Sequence, residues 1–136
     1  MKTIKYRSGF KYQLAEDYVQ RIPIRPDAAV DHPFFALTLV GNLTVRAGYA
    51  WDGPSGPTVD TANFMRGSLV HDVCYQMMRE GFIDRRWKDA ADRLLQAICR
   101  EDGMSALRAW WVYHGVATFG GPSTEAANEP PILTAP

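Results

Sequence analysis

The spacing of apolar residues changes once along this chain, and the change divides it into two parts of different secondary structure. Before a Gly- and Pro-rich loop at Gly48–Pro57, short runs such as Phe10–Leu14 alternate apolar and polar side chains, which is typical of β-strands. After the loop, apolar residues recur at helical spacing. The sequence therefore predicts an α+β fold with a small N-terminal antiparallel sheet followed by three helices.

Four runs predict the strands of the sheet. They are Phe10–Leu14, Tyr18–Ile24, Phe34–Val40 and Leu43–Ala47. The pair Gly41-Asn42 between the last two runs is typical of a tight hairpin turn. Pro23 and Pro26 favour a sheet edge for the second run, because proline cannot donate a ladder hydrogen bond. We expect three to five strands.

Three segments predict the helices. They run from Asp60 or Thr61 to about Glu80, from near Asp84 to about Glu101, and from Ser105 to about Phe119. Gly81 and Gly103 are expected to end the first two, because glycine readily adopts the left-handed conformation of a helix C-terminus. The first helix is apolar on most sides, so we expect it to be central and buried. Trp87, Trp110 and Trp111 are expected to fill a small core, with a lipid- or sugar-binding surface as the alternative.

Composition narrows the class of protein. Fifteen Lys and Arg residues balance 15 Asp and Glu residues, which argues against a nucleic-acid binder, because such proteins need a basic surface. No apolar stretch is long enough for a transmembrane segment. Two cysteines make no disulfide framework, so a reducing compartment is expected.

We expect one domain over residues 1–121 and a Pro-rich tail over 122–136 that either docks on a partner or is flexible.

The first and second predicted helices bring together side chains suited to acid–base chemistry. His71 and Tyr75 are four residues apart and therefore share one helix face. The short turn at Glu80–Asp84 predicts an antiparallel second helix, which would place Asp92 beside His71. A carboxylate there can hold one ring nitrogen of the imidazole and leave the other free to take a proton from water. Tyr75 can donate a hydrogen bond to the same carboxylate.

A cation site is also suggested by this part of the sequence. Asp72 is turned about 100° from its neighbour His71 around the helix and can face a nearby loop. The loop Trp51–Gly56 contains glycines and can present backbone carbonyl oxygens, which together with carboxylates and water are the ligands of Ca²⁺. Such a cation would polarise an ester carbonyl and stabilise its oxyanion.

The same residues also have other interpretations. The pair of His71 and Asp92 is also typical of a satisfied core hydrogen bond. Cys74 lies three residues after His71 and is a candidate nucleophile, but a cysteine in an apolar helix is more often a small core residue. A zinc site made of His71, Asp72, Cys74 and His114 is disfavoured, because the first two side chains diverge on the helix.

The segment His71-Asp72-Val73-Cys74-Tyr75 resembles the His-Asp-x-x-Tyr helix of the phospholipase A2 superfamily, including its shorter viral capsid versions. Ala91-Asp92-Arg93 is similar to the second helix of that family, and the Tyr49–Gly56 loop lies where the family keeps its calcium loop. The resemblance covers roughly residues 48–100. It implies an antiparallel helix pair like that of the phospholipases A2.

The resemblance implies a role for each residue. His71 would be the base that activates water, with Asp92 and Tyr75 as its supports, and Asp72 would be the side-chain ligand of Ca²⁺. The backbone carbonyls that complete the calcium site would be those of Trp51, Gly53 and Ser55. The expected activity is Ca²⁺-dependent hydrolysis of a phospholipid ester.

Residues 5–121 also resemble a domain of unknown function found in tailed phages and prophages. The shared features are the N-terminal sheet, the Tyr49–Pro57 loop, the Leu-Val-His-Asp-x-x-Tyr helix and the Trp-rich last helix. This resemblance implies synthesis in the cytoplasm of a bacterial host, with incorporation into a phage particle as an extension, and other virion subunits or self-assembly as partners. The alternative functions are a non-catalytic tail- or capsid-associated structural protein, which keeps the helix pair as a scaffold, and a ligand-binding module.

Overall fold

The computed structural model describes residues 4, 6–9, 11–51 and 62–125 and shows an α+β fold. Within these residues, seven strands precede three α-helices. The strands form two antiparallel sheets, whereas the sequence predicts one sheet of three to five strands. Three of the strands have only two or three residues, so their alternation is too brief to be recognised in the sequence.

The first sheet joins the start of the chain to the segment that precedes the helices. It has the order β1-β2-β7 and contains β1 (Tyr6–Gly9), β2 (Lys11–Leu14) and β7 (Ala50–Trp51). Tyr12 pairs with Trp51 across the sheet, and their rings lie 5.6 Å apart. The sheet therefore fixes the chain immediately before the loop that the sequence predicts as a cation site.

The second sheet has the order β3-β6-β5-β4. Its strands are β3 (Tyr18–Arg21), β4 (Val30–His32), β5 (Phe35–Leu37) and β6 (Asn42–Val45). The hairpin between β5 and β6 turns over Thr38–Gly41, so Asn42 belongs to the strand rather than to the turn. Gly41 has a φ of +91°, and a Cβ there would lie 2.4 Å from the carbonyl oxygen of Ile22. Only glycine fits this close approach.

The helices occupy the segments that the sequence predicts. They are α1 (Ala62–Arg79), α2 (Lys88–Glu101) and α3 (Ala106–Phe119). Gly81 and Gly103, which follow the first two helices, have φ values of +79° and +100°, as expected for left-handed terminating residues. A 3₁₀ helix at Arg85–Trp87, capped by Asp84, precedes α2, which therefore begins four residues later than predicted.

α1 is the buried centre of the fold, as its apolar sequence predicts. Thirteen of its 18 residues are buried, and its core continues into both sheets. α1 and α2 approach closely at Gly67, where a Cβ would lie 3.0 Å from both Cys99 Sγ and Leu95 Cδ1. Contacts from Gly67 to Leu95 and from His71 to Asp92 run in opposite directions along the two helices, so the pair is antiparallel.

The expectation that the tryptophans fill a core is wrong for two of them. Trp110 and Trp111 are 46% and 64% exposed, and of the three tryptophans in question only Trp87 packs against the main core. α3 buries the small residues Ala109 and Val112 against its neighbours. The large aromatic rings therefore project from the other side of the helix.

The beginning of the predicted tail packs on the domain. Gly121–Thr124 form a 3₁₀ helix, in which the Ser123 carbonyl accepts a hydrogen bond from Arg79 at 2.9 Å and the Thr124 hydroxyl accepts one from Arg85 at 3.0 Å. The rest of the predicted tail, residues 126–136, lies outside the described residues. None of the described helices has the length and apolar character needed to cross a bilayer.

Candidate active site

α1 and α2 bring His71, Tyr75 and Asp92 into direct contact. Asp92 Oδ1 lies 2.8 Å from His71 Nε2 and accepts a hydrogen bond of 2.5 Å from the Tyr75 hydroxyl. The rings of His71 and Tyr75 are 4.0 Å apart between centroids, because residues four apart share one helix face. The sequence predicts this juxtaposition. The catalytic roles of the three residues stay a prediction.

A fourth residue, Lys88, belongs to the same cluster and was not among the predicted site residues. Its Nζ donates to Asp92 Oδ2 at 2.7 Å, so each carboxylate oxygen has a partner. Lys88 and Asp92 are four residues apart on α2, and this i,i+4 spacing was the available signal for the contact. We call His71, Tyr75, Lys88 and Asp92 the Asp92 cluster.

The C-terminal end of α3 forms one wall of the Asp92 cluster. Lys88 Nζ also donates to the backbone oxygens of Val116 at 3.0 Å and Ala117 at 3.4 Å. A Cβ on Gly120 would lie 2.5 Å from the Tyr75 hydroxyl oxygen, so a larger residue there would displace the tyrosine. The ammonium group thus links the buried carboxylate to the exposed third helix.

The cluster favours an ionised carboxylate beside a neutral imidazole. Burial alone would raise the pKa of Asp92, but hydrogen bonds from His71, Lys88 and Tyr75 outweigh it and lower this pKa. Burial lowers the pKa of His71, and the nearby Lys88 charge acts in the same direction against the attraction of Asp92. Burial and the adjacent carboxylate also raise the pKa of Tyr75, which keeps its hydroxyl protonated as a donor.

The neutral imidazole has a defined tautomer. Since Nε2 faces a carboxylate, which can only accept, Nε2 carries the proton and Nδ1 carries the lone pair. No described residue hydrogen-bonds Nδ1. His71 is 7% exposed. In this arrangement, the hydrogen bond from Nε2 to Asp92 orients the imidazole ring, and Nδ1 is available as a base.

Of the predicted cation ligands, the described residues include Trp51, at the end of β7, and Asp72, in the middle of α1. The Trp51 indole donates to the Ser68 hydroxyl at 3.0 Å, one turn of α1 before His71. Asp72 is partly buried, and it is close enough to Tyr49 to add to the effect of burial in raising the pKa of that phenol. The other two predicted ligands, Gly53 and Ser55, lie outside the described residues.

The donor types suit a hard cation. Asp72 offers a carboxylate and Trp51 a backbone carbonyl, which are the oxygen ligands that Ca²⁺ takes. Over residues 11–51 and 62–125, no group of three or more His, Cys, Asp and Glu side chains is placed to hold a metal ion. A Ca²⁺ site here would therefore depend on backbone carbonyls and water for most of its ligands.

Neither a nucleophilic Cys74 nor a zinc site that includes His114 fits the geometry. Cys74 is fully buried, and burial raises the pKa of its thiol to about 12, so it is a protonated core residue rather than a nucleophile. His114 lies on the exposed side of α3, where its ring packs on Trp110 at 4.0 Å. It does not join His71 in a zinc site.

Comparisons with other proteins provide no relative for this chain. No protein-family model, no curated protein and no solved structure matches this chain.

Proposed function

We propose that this chain is a phage-associated, phospholipase A2-like hydrolase that cleaves a phospholipid ester with Ca²⁺ as cofactor. The observation that carries the proposal is the oriented neutral imidazole of His71, which is held through Nε2 by a carboxylate that Tyr75 and Lys88 hold in turn. The sequence resemblances to phospholipase A2 and to the phage domain support the substrate class and the phage association.

The proposed reaction uses His71 first as a base and then as an acid. Nδ1 takes a proton from a water molecule while the water oxygen attacks the ester carbonyl carbon. The ionised Asp92 carboxylate stabilises the imidazolium that forms. The imidazolium then returns its proton to the departing alkoxide as the carbon–oxygen bond breaks. The products are a fatty acid and a lysophospholipid, and the base is regenerated.

The cation would be held beside this base. Asp72 and the backbone carbonyls of Trp51, Gly53 and Ser55 are the ligands that we propose. When bound, Ca²⁺ would polarise the ester carbonyl and stabilise the oxyanion. Tyr75 and Lys88 keep the Asp92 carboxylate in place while the charge on the imidazole changes, so they act on the reaction through Asp92.

The first test is the hydrolysis of phospholipid vesicles by the wild-type protein and by His71→Gln. Loss of a positioned base is expected to lower the rate by roughly 10²–10⁴-fold, and a chelator should suppress the wild-type rate. The measurement is release of fatty acid with Ca²⁺ and with chelator. His32→Gln is the matched control, because His32 lies in β4 outside the Asp92 cluster. A folded wild-type protein with no His71-dependent turnover would refute the proposal.

One observation favours a second function, that of a non-catalytic virion component. His71 is largely buried, and the carboxylate of Asp92 has a donor on each oxygen, which is also how a purely structural cluster is satisfied. In this case His71→Gln would lower the free energy of unfolding, no variant would differ in ester hydrolysis, and the protein would co-purify with assembled particles.

A further inference from the structure

The side of α3 that faces away from the core is apolar and aromatic. Its exposed side chains are Leu107, Trp110, Trp111, His114 and Thr118, and Phe119 extends it at the C-terminal end. Successive residues of an α-helix are rotated by about 100°. With this rotation, the first five side chains all project within one sector of about 100° around the helix axis. We call these six residues the α3 face. Leu107, Trp111 and Phe119 are 69%, 64% and 80% exposed, which is unusual for large apolar side chains that lie together.

Three aromatic side chains of the α3 face contact one another. The indole rings of Trp110 and Trp111 meet edge to face at 5.2 Å, and the His114 ring lies 4.0 Å from Trp110. Residues 105–124 contain no Asp or Glu and a single Arg. The α3 face therefore offers apolar and amphipathic contacts without negative charge.

We propose that the α3 face is a lipid-docking surface that binds the interface of a phospholipid bilayer. Indole rings favour the boundary between headgroups and acyl chains, because they combine a large apolar body with a polar N–H. The choice of lipid as the partner rests on the proposed function, since a phospholipid hydrolase must meet its substrate at an aggregated surface. α3 itself lies outside residues 48–100, which carry the phospholipase A2 resemblance, so this surface is read from the helix and not from that resemblance.

The dimensions of the α3 face argue against a second copy of the chain as its occupant. A helix of 14 residues is about 21 Å long and about 10 Å wide, which gives a footprint of roughly 200 Å². A standard protein interface buries about 800 Å² on each partner. The α3 face alone is too small for a stable dimer, whereas an amphipathic helix of this size can lie in a lipid interface.

Docking through α3 would place the bilayer one helix away from the Asp92 cluster, which lies on the other side of α3. Lys88 contacts the carbonyl oxygens of Val116 and Ala117 on α3 and the carboxylate of Asp92. The docking surface and the candidate site therefore belong to one hydrogen-bonded unit. Because the chain carries no net charge, the attraction should come mainly from apolar burial and should depend little on salt.

The test is co-sedimentation with vesicles of phosphatidylcholine and of a phosphatidylcholine–phosphatidylglycerol mixture, each at low and high salt. We expect the wild-type protein to bind both, with a blue shift of tryptophan fluorescence. Leu107→Ser and Trp111→Ser should each weaken binding roughly tenfold, from the apolar area that they remove. Leu39→Ser is the matched control, because Leu39 is 55% exposed but lies in the hairpin turn between β5 and β6.

Binding and catalysis can fail separately in this design. His71→Gln should bind vesicles like the wild type even though it does not hydrolyse them, and Trp111→Ser should keep the wild-type rate on a water-soluble short-chain ester. If the wild type does not bind vesicles, or if Leu39→Ser weakens binding as much as Leu107→Ser, the docking surface is wrong. Concentration-dependent dimerisation that Trp111→Ser abolishes would assign the face to a second copy instead.

Discussion

α1 carries two buried charged clusters, and they differ in how completely their hydrogen-bonding groups are used. The first is the Arg66 cluster, which consists of Arg66, Tyr18, Gln20, Glu101 and Asp102. Arg66 is 2% exposed, and all three guanidinium nitrogens have partners. Nε and one terminal nitrogen bind Asp102 at 3.0 and 2.9 Å, and the other terminal nitrogen binds Tyr18 at 2.9 Å. The Arg66 cluster therefore ties β3 and the end of α2 to α1.

The Asp92 cluster also centres on a buried charged residue, since Asp92 is 1% exposed, but it retains an unused group. Its carboxylate is saturated by His71, Tyr75 and Lys88, whereas the imidazole uses one of its two nitrogens among the described residues. A saturated cluster can only hold elements together. A cluster that holds a basic nitrogen in a fixed direction can also take up a proton, and this difference separates a structural role from a chemical one.

The largest expected effect comes from breaking the Arg66 cluster. Arg66→Met would leave the carboxylate of Asp102, which is 8% exposed as a side chain, without its partner in the interior. Removing one partner of a buried ion pair typically costs about 3–5 kcal/mol. We expect a loss of that size in the free energy of unfolding, measured by urea denaturation, with the rate per folded molecule unchanged.

Arg93→Met is the matched control for this variant. Arg93 pairs with Asp89 at 2.8 Å on the surface of α2, where both side chains are more than half exposed. Exposed ion pairs contribute little to stability, because water screens both charges. If Arg66→Met were as mild as Arg93→Met, the structural role assigned to the Arg66 cluster would be wrong.

Sequence patterns predicted the helices and the His71–Asp92 contact because both depend on local spacing. Gly81 and Gly103 end helices through their own backbone conformation. The connection between α1 and α2, residues 80–87, is short, so α2 returns antiparallel along α1. Once the two helices are antiparallel, the position of Asp92 beside His71 follows from counting residues.

The features that the sequence did not reveal depend on contacts between distant segments. Tyr12 pairs with Trp51 across the first sheet, and Arg66 contacts Tyr18, which is 48 residues away. Arg66 lies within an apolar helix, and its identity alone does not indicate which partners neutralise it. The exposure of Trp110 and Trp111 was missed for a related reason. Amino-acid type indicates that an indole prefers burial, but not whether another element is present to cover it.

An intermediate effect is expected when Lys88 is removed from the Asp92 cluster. Lys88→Met leaves Asp92 Oδ2 without its donor at a residue that is 1% exposed. An unsatisfied buried acceptor costs about 1–3 kcal/mol, so the free energy of unfolding should fall by this amount. The rate of hydrolysis should fall as well, because Asp92 is no longer held toward His71.

A comparison of Lys88→Arg with Lys88→Met separates the effect of the charge of residue 88 from the effect of its packing. An arginine at this position keeps a cation near Asp92 and should recover most of the stability and rate that Lys88→Met loses. If both variants behaved alike in the two measurements, the charge of Lys88 would not be what positions the carboxylate.

The smallest expected effect is a dependence of stability on pH that arises in the Asp92 cluster. Burial lowers the pKa of His71 in the folded protein below its ordinary value of about 6.5. Below that pH the unfolded chain binds more protons than the folded one, so the free energy of unfolding falls as the pH falls through this window. The loss is about 1.4 kcal/mol for each unit by which the two pKa values differ.

A second window should follow at lower pH. The pKa of Asp92 is also lowered in the folded state, because the hydrogen bonds from His71, Lys88 and Tyr75 outweigh the effect of burial. Its contribution is therefore present above about pH 3.9 and is lost as the pH falls further. Urea denaturation of the wild type and of His71→Gln across this range resolves the two windows. Arg66 stays charged throughout, so only His71→Gln should abolish the upper window. A wild-type protein whose stability is flat between pH 7 and 5 would mean that His71 is not held as a neutral base.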